Sequence, residues 1–239
     1  EKYRIKLLWI KFNNKDQDCN QDSSKLLEAI DDIDYAVAKV PSGKMKIAYS
    51  LQEQGFKFAE NQISLVIRNL DKYKVPEFFI KYVPYIQGKR LEGLDLDQIY
   101  TAIQQNGIFD TDRISLDPCM SVALAGQRYR NWVEQEIINK TGEAHLVLYK
   151  SKNIGFSIIK KENETSYNSL LAGLFDKQKY GGLGFSVLYV PIIVAQQKGA
   201  KLIHATVSSN NLPSLKIHLA LGYEIEDMTY VYIKHFKNN

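Results

Sequence analysis

Three glycines crowd the run Lys179-Tyr180-Gly181-Gly182-Leu183-Gly184. The run follows the apolar stretch Leu170 to Phe175 and precedes a helix-like stretch from Phe185 to Lys198. A glycine loop that opens a helix is an anion site. Free backbone N–H groups and the positive end of the helix dipole converge there, and no Cβ stands between backbone and phosphate. Lys179 adds a positive charge at its head. Further on, Asn211-Leu212-Pro213-Ser214 opens a second helical stretch, with Asn211 as its N-cap and His218 seven residues after it. Histidine changes charge near neutral pH, whereas a phenol titrates near pH 10. Glu143, Glu162 and Glu164 fall at strand ends or in loops, and Tyr167 to Phe175 holds no Asp or Glu. No carboxylate base is therefore visible, and a water relay is the better expectation for moving a proton. His204 and His145 read as partly buried structural side chains and His235 as solvated. Asp110, Asp112, Arg113 and Asp117 cluster in one loop. Turn chemistry explains them; a substrate-facing role would set Arg113 on a phosphate and Asp110 on an amine.

These residues need elements to hold them. The order around the glycines is strand, loop, helix, strand (Lys201 to Val207), helix (Asn211 to Leu221), then Gly222-Tyr223. Upstream, Tyr3 to Phe12 reads as a buried strand and Ser23 to Ile30 as a capped helix. Tyr35 to Val40 is a strand stopped by Pro41, and Lys44 to Gln54 a helix ended by Gly55. Phe56 to Phe58 and Gln62 to Ile67 read as separate strands. Tyr73 to Gly93 holds prolines and aromatics (Tyr73, Phe78, Phe79, Tyr82, Tyr85) and reads as an ordered connector. Packing is the first role for these aromatics, stacking on a nucleotide base the second. Leu96 to Gln105 is a short helix, and Ser121 to Asn139 an amphipathic one with Val122, Ala125, Tyr129, Trp132, Val133 and Ile137 inward. Ala144 to Tyr149 and Ile154 to Lys160 form a hairpin through Lys150 to Asn153. Pro191 predicts a kink or break in the helix after the glycines, since it removes a backbone bond to Val187.

The phrase strand, helix, Gly55-Phe56, strand echoes strand, helix, Gly222-Tyr223, strand near the end of the chain. Residues 1–70 are thus read as a degenerate half-copy of the C-terminal part, without a glycine loop between Asn13 and Gln21. Residues 71–118 are a connector and 119–239 the complete part.

Composition bounds the rest. At 239 residues and 45% hydrophobic, the chain is long and apolar enough to bury a core. No apolar run reaches the roughly 20 residues of a membrane span. Glu1-Lys2-Tyr3-Arg4 is too polar for a secretory h-region, so a cytoplasmic protein is expected. Cys19 and Cys119 lack metal-ligand spacing and are expected as free thiols. A net charge of +4, without a dense Lys/Arg stripe, suits a small polyanion and does not call for nucleic acid.

The glycine run and the Asn211 block together resemble the GNAT superfamily of acetyl-CoA-dependent N-acetyltransferases. Its phosphate loop, Arg/Gln-x-x-Gly-x-Gly/Ala, is matched by Lys179, Gly182 and Gly184, and its later Asn and Gly-Phe by Asn211 and Gly222-Tyr223. The resemblance implies an α/β (α+β) fold, a mixed central sheet flanked by helices, with a smaller GNAT-like N-terminal part. It implies acetyl-CoA as co-substrate, its diphosphate on Lys179, Tyr180, Gly181, Gly182, Leu183, Gly184 and Phe185. Its pantetheine would lie along the backbone of Ala172, Gly173 and Leu174, with Asn211 also touching the cofactor. Where the family has a Tyr that protonates the leaving thiolate, this chain has His218. Three roles stand open for it: the working acid, a helix residue that only hydrogen-bonds, or a sign that chemistry is lost and binding remains.

Gln54-Gly55-Phe56, Arg113 to Asp117-Pro118 and Arg130-Asn131-Trp132 narrow the likeness to the TDP-fucosamine acetyltransferase group. That resemblance implies a small amine acceptor on a nucleotide-linked sugar, with Arg113 and Asp110 facing it. It also leaves room for other amines, a protein N-terminus, or a non-catalytic acyl-CoA-binding module. No metal and no membrane are implied, and a homodimer is compatible because sheet edges need covering.

Overall fold

β-branched and aromatic runs form the strands, and glycine or proline stands at several of their ends, as at Pro41, Gly142 and Gly222. The computed structural model describes residues 7–12, 33–91, 96–104 and 108–236. Its elements are β1 (Leu7–Lys11), β2 (Tyr35–Pro41), α1 (Met45–Glu53), β3 (Lys57–Arg68), β4 (Ile86–Arg90), α2 (Asp97–Gln104), α3 (Val122–Ile138), β5 (Gly142–Tyr149), β6 (Lys152–Lys161), β7 (Ser166–Leu174), α4 (Gly184–Gln197), β8 (Leu202–Ser208), α5 (Leu212–Ala220) and β9 (Glu224–His235). Short helical turns lie at Leu70–Lys72, Glu77–Ile80, Val83–Tyr85, Lys177–Tyr180 and Gly181–Leu183. This is the α/β class expected, with a wide mixed sheet and flanking helices. The helix expected at Ser23 to Ile30 lies outside the described residues.

Contacts divide the chain into two units. One comprises Glu1–Ile63, Ser208–Asn210 and Asp227–Asn239; the other comprises Ser64–Val207 and Asn211–Glu226. In the first, the strand order is β1-β2-β9-β3. β1 runs parallel to β2, and β2 pairs antiparallel with the far half of β9, from Tyr35↔His235 to Pro41↔Thr229. α1 covers one face through Ile47, Ala48 and Leu51, which pack with Ala36, Ala38, Val40, Phe56 and Tyr232. Gly55 ends α1 at φ +82°, a left-handed conformation that a Cβ disfavours, and the Phe56 N–H turns back to the Leu51 carbonyl. Phe56 to Ile67 do not make two strands: one strand, β3, runs unbroken from Lys57 to Arg68.

The second unit carries the glycine run. Its strand order is β9-β3-β8-β7-β6-β5-β4. β4 to β7 are antiparallel neighbours, whereas β7 and β8 are parallel. α2 and α3 cover one face with Leu96, Ile99, Ala102, Ile103 and Val133 against Ala144, Leu146, Phe156 and Ile158. Val122, expected inward on α3, is 44% exposed, because the helix reaches its core only from Ala125 onward. α4 covers the opposite face. A Cβ on Gly155 would come within 2.7 Å of Val187 Cγ1, and one on Gly88 within 2.6 Å of Val190 Cγ1. The helix continues through Pro191, so of the expected kink or early break it is the break that does not occur. Burial of Val187 to Ile192 along its length favours a continuous helix over the one lost bond. The β5–β6 turn is tighter than expected: Lys150 and Ser151 alone form it, both at positive φ.

Gly155 gives this packing a sharp test. A Cβ there would also stand 2.3 Å from the Gly173 carbonyl oxygen, which is backbone and cannot yield. Gly155→Ala should therefore lower stability by about 1–3 kcal/mol in thermal melts. Gly181→Ala, whose added methyl meets nothing within 4 Å, should leave the melting temperature unchanged or slightly raised.

Candidate functional site

β7 is paired along its length on one side only. Toward β6 its register runs from Tyr167 to Leu174. Toward β8 the parallel pairing runs from Ser166↔Leu202 to Ser169↔Ala205, although β7 continues to Leu174 and β8 to Ser208. The cause lies on the β6 side. Ile158 faces Leu171 and Ile159 faces Ser169, so Leu170 is an extra residue and the ladder shifts there. Such a bulge bends the strand that carries it. Ala172, Gly173 and Leu174 therefore form a backbone edge without a ladder partner toward β8.

The glycine run begins where that edge ends. Phe175 N–H bonds to the Ile154 carbonyl, and the Asp176 carboxylate accepts from the Lys179 N–H at 2.9 Å. Asp176 thereby caps the turn Lys177–Tyr180, which passes through Gly181–Leu183 into α4. The run is thus a chain of tight helical turns rather than an open loop. Gly181 and Gly184 have helical φ of −54° and −55°. Glycine is not needed here for left-handed backbone. A Cβ on Gly181 or Gly182 would meet no described residue within 4 Å, as is also true at Gly43 and Gly199, and of these four only Gly181 and Gly182 lack a positive φ. Phe185 is held by the connector: Phe79 stacks on it at 4.7 Å between ring centres, and Tyr82 lies at 5.3 Å. Ser186, fully buried in the first turn of α4, has no partner for its hydroxyl among the described residues.

α5 completes the surroundings. The Asn211 side chain accepts from the Ser214 N–H at 3.2 Å, which is the N-cap bond its position predicts. Ile217 Cδ1 lies 3.6 Å from where a Gly184 Cβ would stand, so α5 packs against the start of α4. His218 is 4% exposed and sits edge-on to Tyr223, with ring centres 5.0 Å apart. Its Nδ1 is 2.8 Å from the Ser214 carbonyl oxygen, an atom that only accepts. Nδ1 therefore carries the proton in the neutral ring, and Nε2 holds the lone pair. Burial pulls its pKa down to about 4, against the opposing pull of the Ser214 bond. An imidazolium near neutral pH, the premise for His218 as an acid, is not populated in this setting.

The bridging loop divides the two residues expected to face a substrate. Asp110 is exposed and pairs with Lys177 Nζ at 3.2 Å, beside the glycine run. Arg113 is buried at 5% exposure. Asp112 accepts from the Tyr129 hydroxyl at 2.7 Å, Arg128 at 3.3 Å and the Ile114 N–H, so it is a structural hub of the loop. Lys179 is exposed, with Nζ 5.3 Å from the Tyr180 ring. Cys119 is a free, exposed thiol. Sequence reasoning missed Asp176, although an Asp three residues before the head of the run is a capping signal. It also missed the hydroxyl of Tyr223, fully buried and without a partner among the described residues, whose pKa burial pushes up.

No family model and no curated protein matches the chain. Solved structures do. A GCN5-related N-acetyltransferase from Sphaerobacter thermophilus superposes with a TM-score of 0.60 at 12% identity over 86% of this chain and 61% of that one. Another from Kribbella flavida gives 0.55 at 16% identity over 85% and 69%. A GCN5-related glucosamine N-acetyltransferase region of a fungal multi-domain GH3 β-N-acetylglucosaminidase gives 0.59 at 15% identity over 84% and 25%. The chain spans about three fifths of the length of the Sphaerobacter protein.

The buried imidazole makes stability depend on pH. The unfolded ring titrates near 6.5 and the folded one near 4, so between these values protons bind the unfolded chain preferentially. The contribution is full above pH 6.5 and is lost as pH falls toward 4, on the order of 3 kcal/mol. Denaturant unfolding of His218→Phe should show a much flatter change between pH 7 and pH 5 than the parent does. From its strand order, its flanking helices and these superpositions, the chain has the fold of the GCN5-related N-acetyltransferases.

Proposed function

We propose that this protein transfers an acetyl group from acetyl-CoA to the amine of a small acceptor, foremost a nucleotide-linked amino sugar. The observation that carries this reading is the early end of the β7–β8 pairing at Ser169↔Ala205, with α4 opening from glycines just beyond the freed edge. An extended pantetheine has amides that can pair with Ala172, Gly173 and Leu174 as an added strand does. Its diphosphate would meet the Tyr180 to Phe185 backbone at the positive end of α4, where no described residue comes within 4 Å of a Cβ on Gly181 or Gly182. Lys179 adds charge, and Asn211 borders the cofactor from α5. A backbone N–H on the freed edge that meets the thioester oxygen would stabilise the charge that develops on it, by several kcal/mol in the transition state.

The acceptor amine attacks the thioester carbonyl, the C–N bond forms, and the C–S bond breaks. His218, neutral with its Nδ1 proton on Ser214, serves here as a positioning residue of α5; the proton for the departing sulfur comes from the amine itself. Residues 1–70 are a half-copy of the fold, 71–118 a connector that reaches the substrate, and 119–239 the transferase part. Support for a nucleotide on the acceptor comes from this connector. Phe78 is 71% exposed beside Phe79, with Lys81 Nζ at 5.8 Å from its ring, a pairing suited to a base and a phosphate. Asp110, exposed beside Lys177, is the polar group of the bridging loop assigned first to the acceptor, and Arg113, buried in the same loop, is the second. The fungal neighbour described as a glucosamine N-acetyltransferase supports an amino sugar.

Calorimetry with acetyl-CoA, followed by thiol release over a panel of amines, tests the reading. The panel should include glucosamine, a nucleotide-linked amino sugar, a polyamine and an aminoglycoside. Acetyl-CoA should bind, and Gly182→Glu should weaken binding by about 10-fold or more by placing a carboxylate where phosphate belongs, without lowering the melting temperature. Tight binding with an inactive panel would make the protein an acyl-CoA-binding module. Absent binding would end the proposal.

A further inference from the structure

Among the buried polar atoms without partners in the second unit, two belong to neighbouring side chains. His145 on β5 and Ser157 on β6 stand directly opposite each other in the ladder. They are 4% and 1% exposed, and neither His145 Nδ1 nor Ser157 Oγ has a hydrogen-bond partner among the described residues. Side chains so paired have Cβ atoms about 4.5–5.5 Å apart. Buried polar atoms left in this way are uncommon and ask for an explanation.

The register extends the pair into a row. Ser157 faces Ala172 on β7, and His145 faces Arg90 on β4. The row Arg90, His145, Ser157, Ala172 therefore crosses four strands on one face. That face is the one under α4, because Gly155, two residues before Ser157, looks at Val187, and Gly88, two before Arg90, looks at Val190. One end of the row is Ala172, on the edge freed from β8. The other end is a half-open charged cluster: Glu143, two residues from His145, lies 2.8 Å from Lys198 Nζ and 3.6 Å from Arg90 Nε.

We propose that Ser157 and His145 form a proton relay that leads from the Ala172 edge to the Glu143 cluster, so that an acceptor arriving as an ammonium ion is deprotonated before it attacks. The proposal rests on the N-acetyltransfer reading above. Ser157 Oγ takes the ammonium proton, directly or through one bound water, as its own proton passes to His145 Nδ1. The ring releases a proton from Nε2 toward solvent; between turnovers it exchanges protons with water, losing the one at Nδ1 and taking one at Nε2, which restores the starting tautomer with no net change in protons. The neutral amine then forms the C–N bond as the C–S bond breaks, and its second proton ends on sulfur. The sum is an ammonium plus a thioester giving an amide, a thiol and one released proton. Burial keeps His145 neutral between transfers; the Glu143 carboxylate opposes this, and the Arg90 and Lys198 cations reinforce it. The relay supplies the base that no carboxylate on β7 provides, and it serves acceptors that arrive as ammonium ions.

Ser157→Ala and His145→Gln test it with two acceptors, the best primary amine of the panel and trifluoroethylamine, which is already neutral at pH 7. Ser157→Ala removes an unpartnered hydroxyl, so its melting temperature should be unchanged or raised. With the basic amine at pH 7, turnover at saturating acetyl-CoA should fall about 100-fold, and it should recover as pH rises toward the amine's own pKa. With trifluoroethylamine both variants should match the parent. Equal losses on both amines at every pH, or no loss on either, would overturn the relay and leave the transferase reading intact. A parent enzyme that turns over no amine while binding acetyl-CoA would overturn both.

Discussion

A β-strand that loses its neighbour part-way leaves backbone donors and acceptors in need of partners, and buried groups of this kind are satisfied in nearly all native proteins. Beyond Ser169 the β7 edge has no ladder partner toward β8, and the geometry of the second unit follows from that one fact. The extra residue Leu170 lets β6 keep its pairing while β7 turns away from β8. The edge so freed is reserved on both flanks. Phe156 packs within 3.2 Å of where a Gly173 Cβ would be, so the strand is pinned from the β6 side. α4 is anchored over the same strands by Val187 and Val190 against Gly155 and Gly88. Neither flank can relax to close the gap without breaking close packing, and packed interiors tolerate few such shifts. In the transferase reading proposed above, a ligand with its own amides would fill the gap at lower cost than the protein does.

The same constraint explains why glycine recurs in two different senses. At Gly155 the residue is required by the protein, because a side chain would strike the Gly173 carbonyl. At Gly181 and Gly182 no described residue stands where a Cβ would. Gly181 and Gly184 have helical φ there, so glycine's left-handed freedom is not used either. A glycine with neither reason points outward, to something that approaches the backbone.

Much of this was legible in the chain because the signals are local. Gly55 and Gly222, both at positive φ after a helix, are read from a helical pattern that stops at glycine. Asn211 is read as a cap, and the order of strands and helices from Leu170 to Tyr223 follows from alternation and period. What was not legible depends on register or on burial. Whether Phe56 to Ile67 breaks into two strands is decided by ladder partners far along the chain, not by Asn61 or Gln62 themselves. Pro191 looked like a helix breaker because propensity is local, whereas the apolar residues on either side of it bury their surface only if the helix continues. The bulge at Leu170 leaves no mark in composition. His145 and Ser157 stand far apart in neither sequence nor type from ordinary core residues, and only the β5–β6 register sets them side by side.

His218 shows the limit most clearly. The residue type near neutrality suggests a proton donor, but donor strength is a property of the surroundings. Removing the ring from water disfavours its charged form, and the Ser214 carbonyl then fixes which nitrogen keeps the proton. A neutral imidazole bound this way contributes shape and one acceptor, which suits an element that must hold α5 against Tyr223 without adding a charge under it. In the transferase reading proposed above, the proton chemistry is thereby pushed away from α5. The described residues that remain for it are those whose polar atoms are buried, unpaired and in line with the freed edge, and on the α4 face of the sheet these are Ser157 and His145. Burial thus removes one candidate for proton transfer and isolates another, through the same penalty on charge in a low-dielectric interior.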